Sequence, residues 1–285
     1  MSTIINCEII TVVPRCVDYP AFRKRLKELE PYVNKIHYVF NYHAASPSSF
    51  NYSGLIQQDM PFCNFINIDA ATIHDHWYNV GMKTAFDQCT SDYVLFLEPD
   101  FIFKTSEILN VLSTFTRDIL THGNRPTVNF GDVDTSYPCL SPSFFMVKRS
   151  LALQTSLEFG EGTIADYTNI QFNMDGTTSL VAPAETTRRV DCFNRFTNDL
   201  FKLTTDICLL NDLGITNYYH YNGITHNFTL CRMGEYATLH NAEEFVWYLN
   251  ENLNLDGIAY DQAYIDESNT YLAAIGSNNN NNNNN

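Results

Sequence analysis

Basic residues are scarce in this sequence of 285 residues, and their scarcity excludes several classes of protein. There are 17 Lys and Arg against 32 Asp and Glu, which gives a formal net charge of -15. A broad surface for nucleic acid or for an anionic membrane needs clustered positive charge. The one local basic group, Arg23, Lys24, Arg25 and Lys27, falls on a predicted helix and is typical of a solvated helix face. We therefore expect no nucleic-acid partner.

Long apolar runs and paired cysteine motifs are also missing. No apolar run approaches the roughly 20 residues that span a bilayer, and the polar start Met1-Ser-Thr lacks the charged-then-apolar pattern of a secretory signal. The eight cysteines are scattered and form no Cys-x-x-Cys pair, which indicates free thiols and neither a disulfide framework nor a zinc cage. We expect no integral membrane segment and a location in the cytoplasm or an equivalent reducing compartment.

Short apolar strands alternate with amphipathic helices along the first third of the chain. Strands are predicted at 9–13, 36–40 and 62–68 and from 93 to Pro99, with helices beginning near 20 and 77. This alternation is typical of a mainly parallel sheet with right-handed crossovers. The sequence predicts an α/β protein with a mainly parallel mixed sheet sandwiched by helices, in one large domain of two abutting halves.

The predicted halves and extensions have the following limits. We assign a donor-binding half to 1–104, an acceptor and catalytic half to 105–240, a C-terminal helical extension to 241–275, and a disordered Asn-rich tail to 276–285.

The segment Tyr93-Val-Leu-Phe-Leu-Glu-Pro-Asp-Phe101 joins a buried strand to two carboxylates, Glu98 and Asp100. Pro99 cannot donate to a strand ladder, so the strand should end there. Functional groups of open α/β sheets gather at such carboxyl ends. Two carboxylates this close repel unless a cation or a proton compensates, and an all-oxygen setting favours Mg²⁺ or Mn²⁺. A solvated acidic turn is the alternative.

The block from about Trp77 to Phe103 resembles the nucleotide-sugar half of family 2 glycosyltransferases with the GT-A fold. In that family an Asn-x-Gly-x-x-x-Ala helix leads into an apolar strand that ends in an Asp-x-Asp-like motif, and Asn79, Gly81 and Ala85 stand at the helix positions. The resemblance implies a GT-A-like, Rossmann-like fold. It also implies donor contacts at Asn79, Gly81 and Glu98, with a divalent ion on Asp100 and Glu98. The first acid of the motif is Glu here where the family has Asp.

A second resemblance lies in His220-Tyr-Asn-Gly-Ile-Thr-His226, which is similar to the family's His-x-x-Gly-x-Ser element. His220, Gly223 and Thr225 stand at the matching positions. The resemblance implies that His220 or His226 adds a metal ligand beside the donor phosphates. A hydrogen-bonded structural histidine is the alternative, and a zinc site is disfavoured because no cysteine or third histidine lies nearby at a spacing typical of zinc sites.

A general base is expected on a predicted helix at 198–213. The position of this helix before the histidine motif resembles the family's acidic catalytic helix, which implies Asp199 as the first candidate and Asp206 as the second. The family's usual Glu-Asp pair is absent. The alternative is that Asp199 only complements the helix dipole.

Further donor contacts are expected from position alone. Pro14 and Arg15 end the first strand, and Asp69 ends the third, so these residues should lie near the nucleobase or ribose. Asp132 and Asp134, in Gly-Asp-Val-Asp, form a literal Asp-x-Asp and the main rival for the metal site. They could instead line the acceptor side.

The resemblance implies a glycosyltransferase of the hexosyltransferase type. Such an enzyme moves a sugar from a nucleotide-diphosphate donor to a hydroxyl of a glycan or other acceptor, with inversion, and uses Mn²⁺ or Mg²⁺. Two other classes stay open: a non-catalytic module that binds a sugar nucleotide or glycan, and a sugar nucleotidyltransferase. The last is disfavoured because the segment from Val13 to Pro20 has no glycine to cradle a triphosphate.

Overall fold

The computed structural model describes residues 5–41, 50–68, 77–123, 133–134, 140–159, 162–163, 170–172, 178–180, 189–190, 193–221 and 223–282. The strands are β1 (Ile5–Pro14), β2 (Val33–Asn41), β3 (Asn64–Ile68), β4 (Tyr93–Leu97), β5 (Phe101–Phe103), β6 (Ile119–Thr121), β7 (Val133–Asp134), β8 (Phe144–Lys148), β9 (Gly162–Thr163), β10 (Ile170–Phe172), β11 (Thr178–Leu180), β12 (Arg189–Val190), β13 (Ile207–Leu209) and β14 (Tyr218–His220). The α-helices are α1 (Pro20–Leu29), α2 (Ser53–Asp59), α3 (Trp77–Phe86), α4 (Thr105–Thr114), α5 (Arg149–Ala152), α6 (Asn194–Leu203), α7 (Ile224–Met233), α8 (Ala242–Leu253) and α9 (Gln262–Asn282).

The central sheet has seven strands in the order β13-β6-β8-β4-β1-β2-β3. All neighbouring pairs are parallel except those of β8, which runs antiparallel to both β4 and β6. The expected mainly parallel mixed sheet is therefore confirmed. Strands from both predicted halves of the chain contribute to this one sheet.

Helices cover both faces of the sheet, and β1 shows why its sequence is almost continuously apolar. Ile9 and Val13 belong to the core that α1, α8 and α9 cover, whereas Ile10 and Val12 belong to the core under α3 and α6. Successive side chains of a strand point to opposite faces, so a strand buried on both faces needs apolar residues at odd and even positions alike.

Gly81 lets α3 approach the sheet closely. A Cβ atom on this residue would lie 3.1 Å from Val12 Cγ1 and 3.3 Å from Val39 Cγ1. The glycine predicted as a donor contact thus has a packing role between α3 and strands β1 and β2.

Replacing Gly81 with valine should lower the free energy of unfolding by about 2 kcal/mol, because a branched side chain has to displace two valines of a close-packed core. The measurement is urea unfolding followed by circular dichroism. Gly54 is a matched control, since it also lies in a helix but has open space around it. Equal losses in Gly54→Val and Gly81→Val would contradict the packing role.

Two chain segments differ from the sequence predictions. The helix predicted at 198–213 divides into α6, which ends at Leu203, then β13 and a short 3-10 helix at Asn211–Leu213. The break follows from long-range pairing, because Ile207 to Leu209 add a parallel strand to β6.

At the C-terminus, α9 continues to Asn282, past the predicted start of the tail at 276. Tyr271 and Ile275 are buried and anchor this helix. Extending an existing helix requires far less free energy than nucleating a new one, which accounts for the helical asparagines at the end of α9.

A polar cluster lies buried at the amino edge of the sheet. The Glu8 carboxylate is 2.6 Å from His37 Nε2 and accepts four further hydrogen bonds, from the backbone N–H and hydroxyl groups of Thr90 and Ser91. Asn64 Nδ2 lies 3.0 Å from His37 Nδ1. With Nδ1 as the acceptor, the proton is on Nε2 and is donated to Glu8. The cluster ties β1 and β2 to the turn before β4.

Six cysteines in the described ranges, at positions 7, 16, 63, 89, 208 and 231, are buried and form no disulfide with one another. Within the same ranges, none of the helices combines the length and the apolar character that a bilayer crossing requires.

Candidate metal and donor site

The candidate site begins where β4 ends, at a turn that contains a proline. The backbone N–H of Glu98 donates to the Ser143 carbonyl at 3.0 Å, which adds one rung to the ladder between β4 and β8. Pro99 ends the pairing, and the Phe101 N–H donates to the Glu98 carbonyl at 3.2 Å. This closes a four-residue turn with proline at its favoured second position. Glu98 and Asp100 therefore lie at the carboxyl edge of β4.

Strand β14 brings His220 to the same turn. It pairs antiparallel with β5, so that His220 lies opposite Phe101, and the Tyr221 N–H donates to the Asp100 carbonyl at 2.9 Å. His220 Nε2 is 3.4 Å from Asp100 Oδ1 and 3.8 Å from Glu98 Oε2. Ligand atoms of all three side chains lie within 4.8 Å of one another. We call Glu98, Asp100 and His220 the edge cluster.

Hydroxyl groups hold the edge cluster in place. Ser143 Oγ donates to Glu98 Oε2 at 2.7 Å and lies 3.0 Å from His220 Nε2. Ser141 Oγ is 2.9 Å from Ser143 Oγ, and the Tyr78 hydroxyl donates to Glu98 Oε1 at 3.2 Å. Partners of this kind orient the ligands of metal sites. The sequence analysis missed Ser143, whose only local signal is a hydroxyl just before a strand.

The residues of the edge cluster fit a divalent cation. Asp100 Oδ1 is buried and accepts no hydrogen bond from any residue that the structure describes. Leaving a carboxylate oxygen buried without a donor is costly, and a cation removes that cost. Glu8 is the contrast, because donors from His37, Thr90 and Ser91 already occupy its carboxylate. Two carboxylates and one imidazole suit Mn²⁺ or Mg²⁺.

His122 packs beside the edge cluster at the carboxyl end of β6. Its ring centroid lies 5.8 Å from that of His220 and 5.0 Å from that of Phe101. Burial, and then the neighbouring His220, lowers the pKa of His122 to about 4. His122 is therefore a neutral imidazole, and no motif in the sequence pointed to it.

The carboxyl ends of β1 and β2 form the neighbouring part of this edge. Pro14 pairs with Asn41, and the Arg15 N–H donates to the Asn41 carbonyl at 3.0 Å. The Asn41 side chain is fully buried, and its amide nitrogen and oxygen have no hydrogen-bond partner among the described residues. A primary amide can pair with a group that offers one donor and one acceptor. The sequence analysis did not single out Asn41.

Asn79 connects two parts of the protein. Its Oδ1 accepts from the Phe159 N–H at 2.8 Å, and its Nδ2 donates to Glu158 Oε2 at 3.3 Å. The amide thereby ties the first turns of α3 to the segment that follows α5. These contacts favour a structural role for Asn79 over the predicted donor contact.

Asp199, the first candidate for the base, is engaged by its neighbours on α6 and after α5. Its carboxylate accepts from Ser156 Oγ at 2.6 Å and from the Ser156 N–H at 3.1 Å, and Lys202 Nζ lies 3.2 Å away. Burial alone would raise the pKa of Asp199, but the hydrogen bonds from Ser156 and Lys202 outweigh it and lower the pKa. Both facts favour a structural carboxylate.

Asp206, the second candidate for the base, lies at the wrong edge of the sheet. It precedes β13, which runs in the same direction as β4, so it stands at the amino edge while Glu98 stands at the carboxyl edge. There Arg117 Nε donates to its Oδ1 at 2.6 Å. The sequence placed Asp206 on a helix, and the strand that forms instead carries it away from the site.

The remaining four predicted site residues are His226, Asp69, Asp132 and Asp134. His226 lies on the first turn of α7, with its ring 5.1 Å from that of His240. Burial, and then His240, lowers the pKa of His226. Asp69 and Asp132 lie outside the described residues, and Asp134 is part of β7.

A cavity of about 860 Å³ opens at the far end of the ribbon that β5 and β14 form. It includes none of the predicted site residues. Its walls include Arg25, Tyr32, Lys104, Asn217 and Tyr219.

Comparisons with known proteins give matches among solved structures. No protein-family model and no curated protein matches the chain. One similar structure is glucosyl-3-phosphoglycerate synthase from Mycobacterium tuberculosis in complex with Mn²⁺, UDP and glucosyl-3-phosphoglycerate, with 9% identity and a TM-score of 0.39 over 52% of this chain and 58% of that chain. Another is a mannosyltransferase from Pyrobaculum calidifontis in complex with GDP-Man and Mn²⁺, with 10% identity and a TM-score of 0.38 over 95% of this chain and 73% of that chain. The match thus spans less than two thirds of the mycobacterial enzyme. Both neighbours are nucleotide-sugar glycosyltransferases, the class that the sequence resembles.

Proposed function

We propose that this chain is a metal-dependent glycosyltransferase that moves a sugar from a nucleotide-diphosphate donor to an acceptor hydroxyl. The observation that carries the proposal is the edge cluster, which joins two carboxylates and an imidazole at the carboxyl end of a central strand. Ligand sites of open α/β sheets form at this edge.

Glu98, Asp100 and His220 would hold Mn²⁺ or Mg²⁺. When bound, such an ion neutralises the negative charge that develops on the leaving nucleoside diphosphate. Ser143 and Tyr78 fix the carboxylate of Glu98, so that its oxygens are oriented before a ligand arrives. When the oxygens are oriented in advance, less conformational entropy is lost on binding.

The nucleobase of the donor is proposed to lie near Pro14, Arg15 and Asn41. The buried amide of Asn41 can accept from one base edge group and donate to the next, as a uracil or guanine edge requires. The base is expected at this end of β1 from the position of the strand alone, and the Asn41 amide is a group that could contact it.

The acceptor is proposed to be a glycan or another hydroxyl compound, attacked with inversion in a hexosyltransferase reaction. A carboxylate that removes the hydroxyl proton would complete the mechanism. Of the two sequence candidates, Asp199 is the one that we propose for this role. Its bonds to Ser156 nevertheless lower its pKa and weaken it as a base.

The engagement of Asp199 supports a second candidate function, a non-catalytic module that binds a sugar nucleotide. Such a module needs the edge cluster and Asn41 but no base. Turnover distinguishes the two functions, because binding of the nucleotide is common to both.

The test is calorimetric titration of the purified chain with UDP, GDP, dTDP and CMP, with and without Mn²⁺. Metal-dependent binding of one nucleotide would support the donor site, and turnover of the sugars of that nucleotide would separate enzyme from module. If no nucleotide binds in the presence of Mn²⁺, both functions are contradicted.

A further inference from the structure

A buried ion pair joins α7 to the C-terminal helix α9. Arg232 Nε donates to Glu267 Oε1 at 2.6 Å, and Arg232 Nη2 lies 3.2 Å from Glu267 Oε2. The side chains are only 7% and 4% exposed. A buried pair is weak evidence for stability by itself, because desolvation of both charges offsets their attraction. The other contacts of the ion pair indicate a role in positioning neighbouring groups.

Other contacts of the pair lie on the segments that follow β1 and precede α2. Arg232 Nη2 donates to the Cys16 carbonyl at 2.8 Å, and the guanidinium carbon lies 4.6 Å from the centroid of the Phe50 ring. The Tyr52 hydroxyl donates to Glu267 Oε2 at 3.1 Å. We call Arg232, Glu267 and Tyr52 the α9 clamp.

A short series of backbone hydrogen bonds connects the α9 clamp to the proposed donor site. The Tyr52 N–H donates to the Arg15 carbonyl at 2.9 Å, and the Arg15 N–H donates to the Asn41 carbonyl at 3.0 Å. Asn41 is thus two backbone hydrogen bonds away from Tyr52. A shift of Tyr52 would be passed on to Arg15 and Asn41.

We propose that the α9 clamp positions Arg15 and Asn41 at the carboxyl edge of the sheet. The C-terminal helix α9 would thereby influence the affinity for the nucleotide donor. The inference rests on the proposed function. Tyr52, Arg232 and Glu267 are positioning residues here, since they act through Arg15 and Asn41. Affinity gains when a protein holds its binding groups in the bound arrangement beforehand, because less ordering remains for the ligand to impose.

Two tyrosines allow a matched test, because both donate to the same carboxylate. Tyr271, on α9 itself, also bonds Glu267, and the two tyrosines are 2% and 4% exposed. Tyr52→Phe removes the bond between the loop and the helix, whereas Tyr271→Phe removes a bond within the helix. The loss of one buried hydrogen bond should lower the thermal midpoint similarly in both variants.

We expect Tyr52→Phe to weaken Mn²⁺-dependent nucleotide binding about fivefold, the effect of one net hydrogen bond, while Tyr271→Phe leaves the affinity within about twofold. Calorimetry gives the affinities. Hydrogen exchange at the amides of Arg15 and Tyr52 gives a second measurement, and it should speed up in Tyr52→Phe alone.

The outcomes separate this inference from the proposed function. If the unaltered chain binds nucleotide, and the two variants bind it equally well and show equal amide hydrogen exchange at Arg15, the α9 clamp does not position Arg15 and Asn41. If the unaltered chain binds no nucleotide with Mn²⁺, the proposed function is overturned and the donor-positioning role with it.

Discussion

Replacing Asp100 with asparagine should weaken Mn²⁺-dependent nucleotide binding by about 100-fold or more, and should abolish any turnover. The variant keeps the volume of the side chain but removes the charge whose Oδ1 is buried and without a hydrogen-bond donor in the described structure. The same change should leave the thermal midpoint unchanged or raise it, because it relieves repulsion with Glu98. Calorimetry and thermal unfolding of the same samples measure both effects.

A large loss of binding without a loss of stability makes the prediction specific. A residue that only supports the fold would lose stability and binding together. Asp87→Asn is the matched control, because Asp87 is an exposed aspartate just after α3 and should retain full affinity. If Asp100→Asn and Asp87→Asn bind nucleotide and Mn²⁺ equally well, the edge cluster is not the metal site.

The acidic turn could be predicted from sequence because its signals are local. The apolar run of β4, the proline that ends it and the two acids around that proline all lie within nine residues. Local sequence does not link His220 to this turn, because only the pairing of β14 with β5 brings it to Asp100. Its recognition depended on the order of motifs along the chain, which a shared fold preserves.

The residues that sequence analysis missed owe their positions to pairings between distant segments. Ser143 meets Glu98 because β8 runs antiparallel to β4, and His122 reaches His220 because β6 lies beyond β8. Neither pairing leaves a pattern in the neighbouring residues. Asn41 ends an apolar strand, and nothing in the neighbouring sequence indicates that its amide lacks a hydrogen-bond partner among the described residues.

The helix predicted through Asp206 is replaced by a strand for the same reason. The apolar residues from Leu200 to Leu210 fit a helical period, so local sequence favours a helix through Thr204 and Asp206. Pairing of β13 with β6 outweighs that preference. A carboxylate expected on a catalytic helix consequently lies before an edge strand, bonded to Arg117.

Replacing Glu8 with glutamine should lower the free energy of unfolding by about 3 kcal/mol. Glu8 is 2% exposed, and its carboxylate accepts the five hydrogen bonds from His37, Thr90 and Ser91. A glutamine side chain is neutral and turns an N–H donor toward groups that are themselves donors. Urea unfolding at neutral pH measures the loss. Glu30→Gln is the matched control, because Glu30 is exposed and should change stability by less than about 0.5 kcal/mol.

Acid should reduce the difference between the unaltered chain and Glu8→Gln. Burial alone would raise the pKa of Glu8, but the hydrogen bonds from His37, Thr90 and Ser91 outweigh it and lower the pKa from 4.5 to about 2. Stability from a carboxylate with a lowered pKa is fully present above the unfolded value and is lost as the pH falls toward the folded value. The unaltered chain should therefore lose this stability between about pH 4.5 and pH 2, whereas the glutamine variant lacks that contribution. A difference in unfolding free energy that stays constant across this range would show that the ionised carboxylate of Glu8 is not what holds β1 and β2 to the turn before β4.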